Sequence, residues 1–476
     1  MKKLSYIFTI LICTANMVFA QHQYDNWHFG YYRAINFSNG IASPVTGSQI
    51  IADETCSSIS DTAGNLLFYT NGNAIWDKNC NVMPNGTGLL GWGDVQQGVL
   101  VVPFPNQNDK YFVFTIGNPT GPYTKELRYS IIDMSLNNSL GDVSLKNVLL
   151  DSDVTEKLTA TKHKNGNAFW IISHPFQTNQ FKAYLVDTSG INVNPVISNV
   201  GLIPSSLSIW AFAGAIKISN NGCWLLSTYR ESNSAGTGLI ELFHYDNSTG
   251  ILTGNASKEV PHPYGLEFSP NNSKFYISQN TSAPILQFDL LAGNDSLIMA
   301  SETPASDTLL WVTLGMQLAP DNKIYFIGYS ETSIGAIELP DNSGYACNIN
   351  PTAITFTDTI SQNTSSLPNN FNLIYSGELD CKIPVNIETH YNTFSNVNLF
   401  PNPSKGLVEI QISGVNKSKL TFTIFNLLGR RVFTTEIDGN IHKNAVNLSH
   451  LANGSYVYHI SDDNCMIVTG KLFIIK

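Results

Sequence analysis

Short runs of alternating apolar and polar residues cover most of this chain, and no long segment competes with the 3.6-residue period of an amphipathic helix. Many runs form pairs, in which an apolar strand leads into a turn rich in Ser, Asn, Asp or Gly and a second apolar, aromatic strand follows. The clearest pairs are Ala215–Ser227, Gly265–Ser278 and Gly315–Ile327. Weaker copies are Ser58–Thr70, Leu100–Thr115 and Leu158–Ser173. The pattern predicts a repeated β-hairpin in an all-β protein.

A second alternating strand follows several of the hairpins and ends in aspartate. It occurs at Arg128–Asp133, Lys182–Asp187, Phe243–Asp246 and Leu286–Asp289. An aspartate side chain can hydrogen-bond nearby backbone groups and so start a turn. The hairpins begin roughly 40–60 residues apart, which is typical of repeats whose unit is a small sheet of about four strands.

A β-propeller accounts for this repeat, because a ring of sheets buries both faces of each sheet and leaves only short edges. The body, residues 21–379, has room for seven blades at roughly 50 residues each, and six blades remain an alternative. The segment Trp27–Phe37 is expected to pair with Phe371–Tyr375 and so close the ring. A set of β-sandwiches that share the same hairpin chemistry is the other fold that fits.

The C-terminal part of the chain, residues 396–476, has a separate set of short strands. It follows a predicted linker, residues 380–395, that is rich in Asn, Thr and Ser. Val408, Ile410 and Ile412 alternate with polar residues, and similar alternation recurs at Leu420 and Tyr456. About seven such strands predict a small immunoglobulin-like (Ig-like) β-sandwich.

The N-terminus has the features of a secretory signal peptide at residues 1–20. Lys2 and Lys3 precede an apolar run. Val18 and Ala20 supply small residues at the −3 and −1 positions of a cleavage site, which predicts cleavage before Gln21. The apolar run is too short for a stable transmembrane helix. No later segment reaches that length, so we expect a mature chain without a membrane span.

Charge narrows the classes of partner. The whole chain has a net charge of −10, and removal of the signal lysines leaves 24 basic and 36 acidic residues, a net charge of −12. An acidic surface disfavours nucleic acid and anionic membrane as partners. Only 13% of the residues are charged, which is typical of secreted β-proteins with many polar turns.

Cysteine usage is compatible with export. Six cysteines remain after the signal, and none forms the Cys-x-x-Cys pair of a zinc site, so no metal site is predicted. An oxidising route permits disulfides. The local pairings are Cys56 with Cys80 and Cys347 with Cys381, and buried free thiols are the alternative.

Several motifs near the C-terminus occur in an order typical of one family. They are the Pro401-Asn402-Pro403 turn, Gly429-Arg430, Gly454 with Tyr456, and a terminal Lys476. Together they resemble the type A C-terminal sorting domain of the Bacteroidetes type IX secretion system. The resemblance implies recognition by the type IX machinery, cleavage of the domain, and a protein that is released or attached to the outer-membrane surface. An ordinary adhesive sandwich is the alternative.

The body carries weaker resemblances. The Ser269-Pro270-Asn271 and Ala319-Pro320-Asp321 turns resemble the strand motif of WD40-like propellers of the bacterial periplasm and cell surface. The runs Ser60–Gly72, Val82–Gly86 and Thr155–Ala160 resemble a Bacteroidetes family of exported propellers. That family has no reaction assigned to it, so the resemblance implies a fold and no activity.

Candidate chemistry is sparse. The sequence contains no nucleophile elbow, zinc-protease helix, phosphate loop or EF-hand loop, and no cofactor is predicted. The most polar group of residues near strand ends consists of Glu156, Lys157, His163 and His174. We expect these side chains to gather at the central channel as ligand-contacting or acid–base groups. The alternative is that they are solvated turn residues. His262 begins another strand and is a further candidate for contact with a ligand. Three tryptophans are candidates for stacking on sugars: Trp76, Trp92 and Trp210.

Three classes of function follow. The first is a surface-exposed or secreted propeller that binds glycan or protein ligands without catalysis. The second is a secreted hydrolase or lyase that acts on polysaccharide, or a lactonase, because propellers host many reactions and fold does not decide function. The third is a structural component of gliding or envelope machinery.

Overall fold

The computed structural model describes most of the chain. The described residues are 22–117, 125–203, 213–230, 237–306, 313–328, 332–356, 365–371, 397–412, 419–426, 430–438, 440–441, 443–461 and 466–476. The chain divides into two compact units, Met1–Cys381 and Lys382–Lys476. Signal residue Ala20 and Gln21, and the predicted linker 380–395, lie outside the described residues.

The first unit consists of small antiparallel sheets in chain order, each built as a meander. Blade 1 contains β1 (Asn26–Phe29), β2 (Arg33–Asn36) and β3 (Ser43–Val45). Blade 2 contains β4 (Ser57–Ser60), β5 (Leu66–Thr70), β6 (Ala74–Asp77) and β7 (Val82–Thr87). Blade 3 contains β8 (Val99–Pro103), β9 (Lys110–Gly117), β10 (Lys125–Asp133) and β11 (Asp142–Val154).

Four more sheets complete the series. Blade 4 contains β12 (Leu158–Lys162), β13 (Phe169–Ser173), β14 (Gln180–Asp187), β15 (Gly190–Ile191) and β16 (Val196–Asn199), the last two both paired with β14. Blade 5 contains β17 (Ile216–Ile218), β18 (Trp224–Tyr229), β19 (Thr237–Asp246) and β20 (Ile251–Pro261). Blade 6 contains β21 (Pro263–Phe268), β22 (Lys274–Gln279), β23 (Leu286–Asp289), helix α1 (Asp295–Ala300) and β24 (Thr303–Pro304). Blade 7 contains β25 (Thr313–Leu318), β26 (Ile324–Gly328), β27 (Ser333–Ile337) and β28 (Ile349–Thr355).

The seven sheets of the described residues form the ring that the repeat predicts. The first strand of each sheet contacts the first strand of the next, from β1 through β4, β8, β12, β17 and β21 to β25. Side chains also cross between blades, as where Thr228 Oγ1 donates to the Tyr264 carbonyl at 2.6 Å. Blades 7 and 1 meet through edge-to-face rings, with the Trp27 and Tyr325 centroids 5.8 Å apart. The body is therefore a β-propeller with seven blades.

Closure of the ring differs in part from the expected pairing. Blade 1 forms its own three-stranded sheet, and residues 372–375 lie outside the described residues. The buried segment Ser365–Phe371, which we call the closing segment, bonds instead to several blades. Its Ser365 amide donates to the Asp53 carbonyl, and the Ser365 carbonyl accepts from Gly315 N, both at 2.9 Å. The Asn369 Nδ2 atom donates to the carbonyls of Val99 and Leu158 at 3.2 and 3.1 Å. The C-terminal end of the body thus ties blades 2, 3, 4 and 7 together.

The turns form for the reasons that the sequence suggested. Aspartates that end the third strands accept from the backbone amide two residues ahead: Asp133 at 3.0 Å, Asp187 at 2.7 Å, Asp246 at 2.9 Å and Asp289 at 2.9 Å. At equivalent points of the first hairpins, Asn272 and Asn322 take positive φ angles of 60° and 63°. Asparagine adopts this left-handed conformation more readily than most residues.

The described residues of the second unit form seven strands in two sheets over one apolar core. The strands are β29 (Val397–Phe400), β30 (Leu407–Ile412), β31 (Leu420–Asn426), β32 (Arg431–Ile437), β33 (Lys443–Asn447), β34 (Gly454–Ser461) and β35 (Met466–Ile474). One sheet has the order β29-β30-β33, and the other β32-β31-β34-β35. The shared core includes Ile410, Phe422 and Ile460. Assignment to the Ig-like class stays a prediction.

The disulfide predictions need correction. Cys56, Cys80 and Cys347 are free thiols. Cys56 comes directly before β4, whereas Cys80 lies in the turn after β6, and β5 separates these strands. A Cys56–Cys80 bridge is therefore not formed. Cys381 lies outside the described residues, and Cys223 is disulfide-bonded.

Candidate functional site

The structure brings together three of the four predicted site residues. Glu156 and Lys157 come directly before β12, and His174 comes directly after its partner β13, so all three lie at the same end of blade 4. All three are buried. His163 lies in the hairpin turn at the other end of β12, where its Nδ1 accepts from Asn165 N at 2.9 Å. At about 3.3 Å per residue, His163 is about 20 Å along the strand from Lys157, so its inclusion in the site was wrong.

Two residues of blade 5 complete this group. Lys157 is fully buried, and its Nζ lies 3.7 Å from the centroid of the Tyr229 ring. The Tyr229 hydroxyl is 3.3 Å from His174 Nε2. Glu241, also fully buried, accepts from Leu202 N at 2.7 Å. We call Glu156, Lys157, His174, Tyr229 and Glu241 the lysine cluster.

Burial dominates the protonation of the lysine cluster. It lowers the pKa of Lys157 to about 7, against the opposing effect of the Glu156 and Glu241 carboxylates. It also lowers the pKa of His174 to about 3, with a further contribution from the charge of Lys157, so His174 is neutral at physiological pH. Burial raises the pKa of Glu241, while hydrogen bonds and Lys157 oppose the shift.

Sequence analysis missed Tyr229 and Glu241 because they come from the next blade. A signal for Glu241 does exist, since it is a single charged residue inside the apolar run Gly238–Phe243. A charge in such a strand needs a partner. The sequence does not say which blade supplies it.

A surface at the mouth of the channel carries exposed aromatic, apolar and acidic groups. The mouth is the end of the ring at which the first strands of blades 2–7 begin. Two connecting segments meet there, because the amides of Glu54 and Thr55 donate to the Gly93 carbonyl at 3.1 and 3.2 Å. We define the mouth surface by six residues: Ile51, Asp53, Glu54, Leu90, Trp92 and Asp94.

The acids of the mouth surface differ in environment. Asp53 and Asp94 are exposed, and Asp53 accepts from the Tyr31 hydroxyl. Glu54 is partly buried, and its two carboxylate oxygens accept from the Tyr264 hydroxyl at 3.1 and 3.2 Å. Burial and then the charge of Asp94 raise the pKa of Glu54 to about 7, although Tyr264 and Arg230 oppose the shift. The carboxyl group of Glu54 can therefore be protonated near neutral pH.

The three candidate tryptophans have different positions. Trp92 has 46% of its surface exposed at the mouth. Trp76 is partly buried and stacks on Tyr69, with ring centroids 5.4 Å apart, so it packs in the body. Trp210 lies outside the described residues. His262, which precedes β21, has a positive φ of 43°, and its carbonyl accepts from Asn280 N at 2.8 Å.

The channel also contains a buried polar layer that sequence analysis missed. Lys217 Nζ contacts the Glu267 carboxylate, and it donates to Gln317 Oε1 at 2.7 Å. Glu267 accepts in addition from the amides of Phe268 and Leu318 at 3.0 and 2.9 Å. The three side chains come from the first strands of blades 5, 6 and 7 and occupy the same position of the repeat. Alignment of the three hairpins could have found them.

The described residues contain no group of three or more His, Cys, Asp or Glu side chains that could hold a metal ion. Within the same part of the chain, no helix is long and apolar enough to cross a membrane.

The sorting motifs of the second unit hold its C-terminal end. The Asn402 side chain pairs with β35, donating to the Lys471 carbonyl at 2.7 Å and accepting from Phe473 N at 2.9 Å. Lys476 N donates to Asn453 Oδ1 at 2.9 Å, close to Gly454. Tyr456 donates its hydroxyl to the Ala452 carbonyl at 2.9 Å. Arg430 begins the segment that leads into β32, while Gly429 lies outside the described residues.

Comparison with protein families identifies this unit. Residues 398–476 match the family described as "Secretion system C-terminal sorting domain". The protein is a cargo of the type IX secretion system. The sorting domain indicates export, with a cell-surface or secreted location. It also implies interaction with the type IX machinery.

Comparisons of the whole chain give only distant similarity. None of the curated proteins matches it. A "putative 6-phosphogluconolactonase" from Bacteroides fragilis is 11% identical over 83% of this chain and 96% of its own, with a TM-score of 0.36. Another from Bacteroides uniformis is 10% identical over 94% and 100%, with a TM-score of 0.35. A protein from Lactobacillus plantarum is 9% identical over 78% and 92%, with a TM-score of 0.37. The propeller assignment rests on the sheet topology and not on these similarities.

Proposed function

We propose that this type IX cargo binds a glycan through the mouth surface, without catalysis. The observation that carries the proposal is the exposed Trp92, with the exposed Asp53 and Asp94 on the same two connecting segments, which meet at the Gly93 carbonyl. An aromatic face packs against the apolar C–H face of a sugar ring, and carboxylates accept hydrogen bonds from sugar hydroxyls.

The backbone supports this role because it holds the surface in place before a ligand arrives. Trp92 N donates to the Ile116 carbonyl at 2.9 Å, and its own carbonyl accepts from Thr55 Oγ1 at 2.6 Å. A preorganised surface loses less entropy on binding than a mobile one.

Charge selects among glycans. The mouth surface carries three acids, against which Arg230 near Glu54 is the cation that affects the pKa of Glu54, and the mature chain has a net charge of −12. Uronic-acid and sulfated glycans would be repelled, so we propose neutral or amino sugars as the ligand class.

Binding can be tested with the full mature protein. A glycan array would identify a ligand, and calorimetric titration would compare Trp92→Ala with the wild type. We expect at least about a tenfold loss of affinity, since aromatic contacts dominate such sites. The matched control is Tyr345→Ala, which removes a 59% exposed aromatic ring between the third and fourth strands of blade 7. A blank array, or equal affinity in wild type and Trp92→Ala, would refute glycan binding at this surface. Binding of a protein instead would favour the apolar Ile51 and Leu90 as the contact.

Glu54 supports hydrolysis of a polysaccharide as a second candidate. A carboxyl group with a pKa of about 7 beside an exposed carboxylate is an arrangement used for general acid–base catalysis. Turnover on a polysaccharide panel that disappears in Glu54→Gln would favour this candidate. If the wild type shows no turnover and Glu54→Gln loses only binding, hydrolysis is excluded.

A further inference from the structure

The closing segment, Ser365–Phe371, is buried along its whole length although it is not a strand of any sheet in the described residues. Buried backbone outside a sheet needs other partners for its polar groups. The blades supply them. The Asn369 amide donates to the Cys56 carbonyl of blade 2 at 2.9 Å, while its side chain reaches the first strands of blades 3 and 4. The surrounding blades thus hold the segment inside the ring.

The apolar side chains of the closing segment join two separate parts of the core. Leu367 belongs to the apolar cluster that includes Trp27 of blade 1 and Ile327 of blade 7. Phe371 belongs to the cluster of blades 2, 3 and 4, and its ring centroid lies 5.9 Å from that of Phe169. The ring therefore offers matching apolar positions at both ends of the segment.

The first two residues of the closing segment contact the backbone that carries the mouth surface. That surface lies on two connecting segments, one before β4 and one before β8. The Ser365 amide donates to the Asp53 carbonyl on the first segment at 2.9 Å. The Ser366 hydroxyl donates to the Gln96 carbonyl on the second, two residues after Asp94, at 3.1 Å. Both connecting segments are therefore bonded from inside the ring.

The two connecting segments are also bonded to each other. Thr55 Oγ1 lies 2.6 Å from the Trp92 carbonyl oxygen and 2.8 Å from that of Val95. A Cβ atom at Gly98 would lie 2.3 Å from the same hydroxyl, so the approach is close. A shift of either connecting segment would therefore be passed to the backbone of Trp92.

We infer that the closing segment is a clasp that positions the mouth surface from inside the ring. When it is docked, Ser365 and Ser366 each hold one connecting segment through a backbone carbonyl. Without it both carbonyls lose these donors, and the connecting segments open more often. The mouth surface therefore takes its form only when the C-terminal end of the body is in place. The consequence for ligands rests on the proposed function, whereas the positioning of the backbone does not.

Hydrogen–deuterium exchange with residue-level fragmentation tests the clasp in the full mature protein without ligand. The amides of Glu54 and Thr55 report on the mouth, because both donate to the Gly93 carbonyl that joins the connecting segments. The reference is the buried Tyr245 amide of blade 5, which donates to the Cys223 carbonyl at 2.8 Å. The measured quantity is the exchange rate of the mouth amides relative to that of the reference.

Variants of the closing segment should raise this ratio. Ser366→Ala removes the hydroxyl bonded to Gln96, and we expect a rise of about fivefold, as for the loss of one hydrogen bond. Asn369→Leu loosens the centre of the segment and should raise the ratio at least about tenfold. The matched control is Ser269→Ala, which removes a buried hydroxyl that accepts from Lys274 N at 3.0 Å in the hairpin turn of blade 6. It should leave the ratio unchanged.

The outcomes separate a clasp from general damage and from the glycan proposal. An unchanged ratio in Ser366→Ala would overturn the inference, and this conservative variant decides the matter if Asn369→Leu does not fold. An equal rise in Ser269→Ala, or exchange that accelerates alike at the mouth and at Tyr245, would also overturn it. Glycan binding is not the readout, so a mouth surface that binds no glycan leaves this test intact.

Discussion

Glu267 in the polar layer of the channel gives the sharpest prediction about stability. Replacement by leucine removes the counter-charge of the buried Lys217 and the acceptor of two backbone amides. Lys217 keeps only Gln317 Oε1 at 2.7 Å and the Met316 carbonyl at 3.4 Å. Breaking a buried pair by removal of one partner costs about 3–5 kcal/mol. We expect Glu267→Leu to destabilise the propeller by that amount.

The magnitude converts into a measurable shift in melting temperature. An unfolding entropy of about 2.1 cal/mol/K per residue, over about 350 residues of propeller, gives about 0.7 kcal/mol/K. The expected loss is therefore about 4–7 °C. All seven tryptophans lie between residues 27 and 311, so their fluorescence follows the propeller and not the sorting domain.

A double variant separates the charge effect from simple packing damage. Lys217→Met combined with Glu267→Leu replaces the whole pair by apolar groups, which is often neutral or stabilising. We expect it to recover at least about half of the loss in the single variant. Glu259→Leu, on an exposed position of β20, is the control and should change stability by less than about 0.5 kcal/mol. Equal melting of Glu267→Leu and wild type, or no recovery in the double variant, would refute the reasoning.

Three further predictions concern other parts of the molecule. Asn369→Leu removes two hydrogen bonds of the closing segment and leaves two buried carbonyls unpaired, so the free energy of unfolding should fall by about 2–3 kcal/mol. Urea unfolding followed by tryptophan fluorescence measures this loss, and an unchanged midpoint would contradict closure by this segment. Hydrogen bonds from Ser189 lower the pKa of Asp187, so the ionised carboxylate stabilises the folded protein by less than about 1 kcal/mol. This stabilisation is present above about pH 4 and is lost as the pH falls through the lowered pKa. Asp187→Asn should therefore narrow the difference between the urea midpoints measured at pH 7 and pH 3. Asn402→Ala removes both bonds to β35 and should reduce export in cell fractionation, whereas the exposed Asn398→Ala should export normally.

Much of the fold was predictable because its signals are local. Hairpins, period-two strands and the aspartates that start turns each depend on a few consecutive residues. Closure was less predictable, since residues far apart in the chain must meet, and Asn369 bonds to carbonyls of two different blades. The Cys56–Cys80 prediction failed for a similar reason. Proximity in sequence did not bring the two thiols together within blade 2.

The candidate site was predictable only within one blade. Glu156, Lys157 and His174 were found because they flank one hairpin, while His163 was included in error because the two ends of a strand look alike in sequence. Glu241 was missed, since the packing of blade 5 against blade 4 decides which carboxylate faces the lysine.

The sequence by itself determined the sorting domain and the repeated hairpins, because motif order and alternation are properties of neighbouring residues. The repeat length also favoured seven blades. Only the tertiary structure decided which polar groups meet across blades, such as Lys217 with Glu267 and Lys157 with Tyr229. A strand pattern states which residues are buried, but the partner of a buried charge depends on how separate sheets pack around the channel. The same packing separates Trp92, exposed at the mouth, from Trp76, which stacks on Tyr69.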